Sequence, residues 1–360
     1  FFKQKTAYEM LRSLVGSEMC IRDRGSPYII DGYYLVPAGK TLRLESGVVI
    51  KSLNLEDYRV FYNRDKRGLL LIAGNLEVMG TEEDKVIFTS VYDHNFSDDK
   101  MATWNYDGVL ADGNWGGIKS MDGAQIKMNN FEIRYGGTDL GLNNGEVIIA
   151  SLISLEEDRC LDLSSSYVEI ENGKLEHCGS SEVIFLSESS GYLKNLFLSS
   201  LFFGVKVYQG SIFLENLEFS GFIEPPLIIE ESDVAWQNLV FKNNRLNGIL
   251  DYGLSGDIVL NNREVPYILD ETILNQASSL TAEPGAKIYL TASDYHSVPV
   301  NFLGTLEQPI NIYFNNVYNN SLRLEEVSAV FSYVNFINLS PFLDDFSAHS
   351  LGVNSVSELM

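Results

Sequence analysis

The chain has few basic residues, few cysteines and no long hydrophobic run, and each shortage excludes a class of protein. Its 360 residues include 26 lysines and arginines against 49 aspartates and glutamates, a formal net charge of −23. This excess of negative charge argues against nucleic acid or an anionic membrane as a partner, because both repel an acidic surface. No apolar run approaches the length of a membrane span, so we expect no membrane insertion of this stretch.

The three cysteines do not form a metal-binding motif. Cys20 lies in an atypical N-terminal segment, and Cys160 and Cys178 are separated by 18 residues without clustered histidine or cysteine. This spacing does not match a zinc site. The pair could bond across neighbouring repeats, but the two cysteines occupy different repeat positions, and we expect buried free thiols.

Residues 1–24 differ in character from the rest of the chain. They read FFKQKTAYEM, then LR, then SLVGSEMCIRDR. This sequence resembles the translation of sequencing-adapter DNA. A signal peptide is the alternative, but the segment lacks an apolar core of adequate length. We therefore treat it as non-native and expect a metagenomic fragment that lacks its native start and is truncated near Met360.

A short pattern repeats about every 22 residues between Ile126 and Val265. It reads apolar, any, apolar, any, pivot, any, any, apolar, and the pivot is usually asparagine. The pivots of the seven rows are Asn130, Ala150, Asn172, Asn195, Asn216, Asn238 and Asn262.

The apolar positions of this pattern predict a bend at the pivot. A strand alternates its faces with a period of two, so positions two before and three after the pivot can share one core only if the chain turns between them. Asparagine tolerates the left-handed conformation that such a turn needs, and stacked asparagines can bond between coils. A further apolar group ten to fourteen residues after each pivot supplies a third strand.

The repeat therefore predicts an all-β parallel β-helix solenoid with coils of about 22 residues. A leucine-rich repeat is the main competitor at this period, but it needs leucine at several fixed sites. The apolar positions here vary among isoleucine, leucine, valine, phenylalanine and tryptophan.

The region from Tyr33 to Gly137 carries a family resemblance. Its motifs are Val36-Pro37-Ala38-Gly39, Val86-Ile87-Phe88-Thr89-Ser90 and Trp115-Gly116-Gly117-Ile118. In this order they resemble the opening of secreted and surface-exposed right-handed parallel β-helix proteins of the pectate-lyase-like superfamily. The resemblance implies a right-handed winding, a bacterial source and an extracellular or cell-surface location.

The last hundred residues echo the opening of the native part. Ser279–Ile288 matches Thr41–Ile50, and Phe331–Phe336 matches Ile126–Phe131 with Asn335 at the pivot. The sequence thus predicts two concatenated units, 25–265 with a loop excursion at 91–114, and 266–360.

Charged residues on the outward columns are the candidates for catalysis. Glu215 and Glu218 flank one pivot, and Lys194 lies one coil earlier. Paired carboxylates could perform acid–base chemistry on a glycosidic bond. Mixed glutamate and lysine is equally typical of a solvated β-sheet face, so catalytic residues are not assigned.

The excursion at 91–114 holds the candidates for calcium binding. Calcium takes clustered oxygen ligands from flexible loops, and a solvated acidic loop is the alternative. The candidate ligands are Asp93, Asp98, Asp99 and Asp112, and Asp107 lies among them. The aromatic residues Tyr92, Phe96, Trp104 and Tyr106 could stack on sugars or anchor the loop. His177 is isolated, and we expect it to be structural.

Two functional hypotheses follow. The first is a non-enzymatic extracellular or cell-surface module of a larger protein, acting as a spacer, adhesin or glycan-contacting surface. Its partners would be glycans or other surface proteins, with calcium as the one candidate cofactor. The second is a carbohydrate-active enzyme, a polysaccharide lyase or glycoside hydrolase, on the same fold.

Overall fold

The chain folds as a parallel β-helix, as the repeat predicted. The structure is a computed structural model and describes residues 18–21, 27–31, 33–53, 68–96, 115–137, 159–179, 181–261, 265–291, 299–314, 322–324, 329–338 and 351–353. Strands from successive coils pair in parallel and stack into long sheets. The chain divides into two compact units, one running to Glu224 and including Ser232–Asn244, the other comprising Pro225–Glu231 and the chain from Arg245. The predicted boundary at residue 265 stays a prediction.

The first unit has three walls, which we call walls 1, 2 and 3. Wall 1 contains β1 (Glu18–Ile21), β4 (Thr41–Glu45), β7 (Asn75–Met79) and β18 (Asp233–Gln237). Wall 2 contains β2 (Tyr28–Asp31), β5 (Val49–Leu53), β8 (Val86–Ser90) and β19 (Val240–Lys242). Four longer strands run through both walls: β10 (Gln125–Arg134), β12 (Tyr167–Glu176), β14 (Ser190–Ser199) and β16 (Ser211–Ser220).

Wall 3 closes each coil. Its strands are β3 (Tyr33–Val36), β6 (Leu69–Ile72), β9 (Ile118–Ser120), β11 (Leu161–Ser164), β13 (Glu182–Ser187) and β15 (Phe203–Tyr208). Strand β1 belongs to the adapter-like segment and pairs with β4.

The coil length is confirmed by the strand register. Tyr167 pairs with Ser190, Ser190 with Ser211, and Ser211 with Asp233, which are steps of 23, 21 and 22 residues. The predicted bend is confirmed as well, because the pivot asparagines have positive φ. Their values are 51° at Asn130, 54° at Asn172, 52° at Asn195, 54° at Asn216 and 55° at Asn238.

The pivot side chains form a hydrogen-bonded ladder. Asn195 donates to Asn172 at 2.8 Å, Asn216 donates to Asn195 at 2.9 Å, and Asn238 donates to Asn216 at 2.9 Å. The first rung differs, since Asn172 donates to Asn129 at 2.9 Å and the Asn130 amide donates to the Gly80 carbonyl. The ladder links the bends of successive coils.

Two of the seven predicted pivots, Ala150 and Asn262, lie outside the described residues. The row of Ala150 lies outside the described residues, and β10 pairs directly with β12, with Ile126 opposite Val168. The prediction of a rung between Asn130 and Asn172 was wrong, because the strands that carry these two asparagines pair directly with each other. Asn262 also lies outside the described residues, and β21 (Gly256–Leu260) just before it pairs in a sheet of the second unit.

The core is formed by the predicted columns and by one column that the pattern missed. Met128, Ile170, Leu193 and Leu214 two before the pivot are buried, as are Ile133, Leu175, Leu198 and Phe219 three after it. The residue directly after the pivot is buried too: Phe131, Leu196, Leu217 and Leu239. Gly173 occupies this column opposite Phe131, and a Cβ there would meet the phenyl ring.

The second unit is built from shorter strands. One sheet contains β17 (Leu227–Glu230), β20 (Ile249–Asp251), β22 (Tyr267–Leu269), β24 (Lys287–Leu290), β26 (Ile310–Phe314) and β29 (Val334–Asn338). Another contains β21, β23 (Ala277–Ala282), β25 (Val300–Leu303) and β28 (Ala329–Ser332), while β27 (Leu322–Leu324) pairs with β30 (Leu351–Val353). The helix α1 (Glu271–Gln276) is capped by Asp270, which accepts from the Ile273 amide at 3.0 Å.

The bend in this second unit lies at Tyr333 rather than at the predicted Asn335. Tyr333 has φ of 48°. A Cβ on Gly304 would meet the Tyr333 carbonyl oxygen, just as a Cβ on Gly80 would meet the Asn130 carbonyl oxygen. The predicted alignment was therefore displaced by two residues. Asn335 instead lies within β29 and donates to Asn311 at 2.9 Å.

Cys160 and Cys178 form a disulfide, so the expectation of free thiols was wrong. Their Cα atoms are 5.5 Å apart, and both residues are buried. Different repeat positions do not prevent pairing, because the segment that follows β12 returns to the start of β11 as the coil closes.

Candidate functional site

Both glutamates predicted as catalytic candidates form ion pairs with lysines. Lys194 lies 3.0 Å from Glu215, whereas Glu218 pairs with Lys242 at 3.0 Å. The bend at Asn216 separates the two glutamates. The hydrogen bond to Glu215 raises the pKa of the Lys194 ammonium, which stays charged. The structure thus joins Lys194 to Glu215 and gives Glu218 a separate partner.

Of the calcium candidates, Asp93 is described and is fully buried. Its carboxylate accepts from the Thr89 hydroxyl at 2.8 Å and from the Asn95 amide side chain at 3.0 Å. Arg134 lies 3.7 Å away. These contacts fix the turn that follows β8.

Asp98, Asp99, Asp107 and Asp112 lie outside the described residues. In the part of the chain that the structure describes, no group of three or more histidine, cysteine, aspartate or glutamate side chains could hold a metal ion. Calcium binding by the excursion remains a prediction.

The described aromatic residues of the excursion anchor its first turn. Tyr92 is buried, and the Phe96 ring lies 5.5 Å from the Arg134 guanidinium. Lys51 below them donates to the Asp93 carbonyl at 2.7 Å. Burial lowers the pKa of the Lys51 ammonium, and the nearby Asp93 charge partly opposes that shift. Trp104 and Tyr106 lie outside the described residues.

A buried charged cluster on wall 3 was missed by sequence reasoning. Lys119 of β9 and Asp162 of β11 are register partners with a 3.3 Å ion pair. Arg159 lies 3.5 Å from Asp162 and 2.8 Å from Glu182 of β13. We call these four residues the wall-3 cluster.

The wall-3 cluster balances two carboxylates against two cations. Burial of Glu182 favours its neutral form, but Arg159 and the Ser181 hydroxyl outweigh that effect and lower the pKa of the carboxyl. The Arg159 guanidinium also lies over the Phe185 ring at 3.7 Å. Each charge in the cluster therefore has a partner of opposite sign, which allows burial.

No local signal marked this cluster. Asp162 lies between two buried leucines and Lys119 follows Ile118, positions typical of ordinary strands. Their contact depends on the pairing of β9 with β11, because Lys119 and Asp162 are 43 residues apart in the chain.

Wall 1 carries a row of outward aromatic side chains, which we call the aromatic row. It consists of Tyr167 in β12, Tyr192 in β14 and Phe213 in β16, and Tyr192 is the register partner of Phe213. Tyr167 and Phe213 are 44% and 39% exposed. A hydrogen bond with Glu169 raises the pKa of the Tyr167 hydroxyl.

His177 is exposed and has φ of 54°. Its ring stacks on Tyr135 at 5.0 Å. This stacking is a packing contact, and the structural role of His177 stays a prediction.

Comparison with known proteins provides no functional assignment. No family model matches the chain, and no curated protein matches it. Among solved structures it is similar to the surface protein and adhesin PfbA of Streptococcus pneumoniae, with 9% identity, 92% of each chain covered and a TM-score of 0.24. In the described part of the chain, no helix is long and apolar enough to cross a membrane. A likeness this weak carries no functional argument, and the functional case rests on the residues above.

Proposed function

We propose that the chain is a non-enzymatic module displayed outside the cell, where its outward walls contact glycans or other surface proteins as an adhesin or spacer. The observation that carries this proposal is the pairing of charges on walls 1 and 2. Glu215 and Glu218 each bind a lysine of a neighbouring coil. Acid–base catalysis on a sugar needs two carboxylates that converge on one bond. Here each carboxylate forms an ion pair with a different lysine.

The disulfide supports the extracellular location. Disulfides persist in oxidising compartments and are rare in the cytosol. Because Cys160 and Cys178 are both buried, their bond is sheltered from exchange with small thiols.

The test is display of the full chain on a non-adherent bacterium. We expect a surface coated with glycans or surface proteins to retain more of the displaying cells than of cells that display an unrelated β-helix. No sugar products should be released. Thiol labelling of the displayed chain in denaturant, which exposes both cysteines, should leave Cys160 and Cys178 unmodified until a reductant is added. Equal retention of both cell types, or labelling without reductant, would contradict the proposal.

A carbohydrate-active enzyme is the second candidate, and the wall-3 cluster is the place where its two carboxylates would lie. Asp162 and Glu182 are two carboxylates held beside the same guanidinium. If they were catalytic, the chain would release reducing or unsaturated sugars from a polysaccharide, and Asp162→Asn would abolish that release. We expect no release from the parent chain.

A further inference from the structure

The aromatic row occupies three consecutive coils of wall 1. Tyr192 and Phe213 are register partners, so their backbones lie about 4.8 Å apart. Tyr167 stands opposite Ser190, which makes it a diagonal neighbour of Tyr192. The row therefore presents one ring per coil along the direction in which the coils stack.

Polar groups border this row on both sides. Glu169 is the register partner of Tyr192 and pairs with Lys127 at 3.1 Å, so this ion pair continues the column of Tyr192 and Phe213. On the pivot side of that column, Lys194 pairs with Glu215 at 3.0 Å. On the other side stand the small, exposed side chains of Ser190 and Ser211. The serines add little bulk beside the rings, while the ion pairs and the tyrosine hydroxyls offer donors and acceptors near them.

Resting on the proposed function, we infer that the aromatic row binds a neutral, hydroxyl-rich polysaccharide. The electron-rich face of an aromatic ring attracts the weakly positive C–H groups of a sugar ring. Sugar hydroxyls can donate to the carboxylates of Glu169 and Glu215 and accept from Lys194, and such charge-assisted hydrogen bonds are the strong ones.

The charge pattern argues for a neutral ligand. The lysines that border the row are paired with glutamates, so they offer no net positive field to a polyanion. The acidic chain as a whole repels polyanions. A charged polysaccharide would therefore gain little from this surface.

The shape of the row argues for a linear ligand over a folded protein. Binding hot spots between proteins need pockets from which water is excluded. Here the rings stand on a sheet face that repeats coil by coil, and two of them are about two-fifths exposed. A chain of sugar rings can follow such a surface over several coils.

The test is affinity electrophoresis of the full chain in gels that contain one polysaccharide each. Galactomannan, xyloglucan, mannan and dextran are the neutral probes, and polygalacturonate is the anionic one. We expect retardation in at least one neutral gel and a loss of at least about tenfold in affinity for Tyr192→Ala with Phe213→Ala. Phe213→Tyr should keep binding, because the ring is retained.

Leu306→Ala is the matched control, since Leu306 is 81% exposed and lies in the second unit. It should bind like the parent chain, and all variants should share the parent's unfolding midpoint. Absence of retardation in every neutral gel, retardation only by polygalacturonate, or equal retardation of the double variant would overturn the inference. The proposed function has a separate test, because it fails when displaying cells do not adhere to the coated surface. If adhesion survives periodate oxidation of the glycans on that surface, only the inference of a polysaccharide ligand is contradicted.

Discussion

Each described pivot asparagine of the ladder has two structural roles. Its backbone takes the left-handed conformation, and its side chain bonds to a neighbouring coil. Asn195 illustrates both, with φ of 52°, a bond donated to Asn172 and a bond accepted from Asn216. Because the bend and the ladder use the same residue, the coil register and the coil shape are coupled.

Asn195→Ala should lower the free energy of unfolding by about 2–3 kcal/mol. The left-handed conformation costs alanine about 1–2 kcal/mol, and the lost hydrogen bonds cost about 1 kcal/mol more. Asn195→Gly keeps the conformation and should lose only the hydrogen-bond part. Urea unfolding of the three proteins measures both contributions, and equal losses for alanine and glycine would show that the backbone conformation contributes nothing.

At the scale of elements, the disulfide ties the segment after β12 to the start of β11. Replacing both Cys160 and Cys178 with alanine should lower the free energy of unfolding by about 3 kcal/mol, because a cross-link that closes a loop of this length restricts the unfolded chain. Chemical denaturation with and without a reductant checks the result. The reductant should destabilise the parent chain and leave the double variant unchanged.

The wall-3 cluster predicts a pH dependence of stability. The pKa of Glu182 is lowered in the folded chain from its ordinary value of 4.5. Its stabilising contribution is therefore present above that ordinary value and is lost as the pH falls through the lowered one, where the folded carboxyl finally takes up a proton.

Glu182→Gln measures this contribution. The variant should be less stable than the parent at neutral pH, and the difference should shrink as the pH falls below 4.5. Urea unfolding at a series of pH values gives the curve, with Glu307→Gln on an exposed turn as the matched control. A difference that grows towards acid pH would contradict the lowered pKa.

At the scale of the whole molecule, charge repulsion should limit stability. Acidic residues outnumber basic ones by 49 to 26, and a large net charge destabilises a compact state. Raising the salt concentration from about 0.01 M to 0.15 M shortens the screening length from about 30 Å to 8 Å. The melting temperature should therefore rise with sodium chloride.

Calcium chloride at matched ionic strength separates screening from specific binding. If the aspartates of the excursion bind calcium, the melting temperature should rise further than with sodium chloride, because a ligand that binds only the folded chain stabilises it. An equal rise in melting temperature with both salts would contradict the predicted calcium site.

The sequence predicted the coil and its bend because these depend on local chemistry. Apolar residues two before and three after an asparagine can share a core only if the chain turns between them, and both positions are buried in the rows of Asn130, Asn172, Asn195 and Asn216. It mispredicted the row of Ala150 and the pivot at Asn335, because an insertion or a displaced turn can imitate the short pattern. Only the register of β10 with β12 revealed the first error.

By itself, then, the sequence determined the parallel β-helix, its period and the inward columns two before and three after the pivot, since period and side-chain volume are properties of neighbouring residues. Only the tertiary structure decided which distant residues meet. The Cys160–Cys178 bond, the contact of Lys119 with Asp162 and the alignment of Tyr192 with Phe213 all depend on how one coil lies on the next. That stacking is set by the length of every intervening turn and insertion, and no local pattern encodes it.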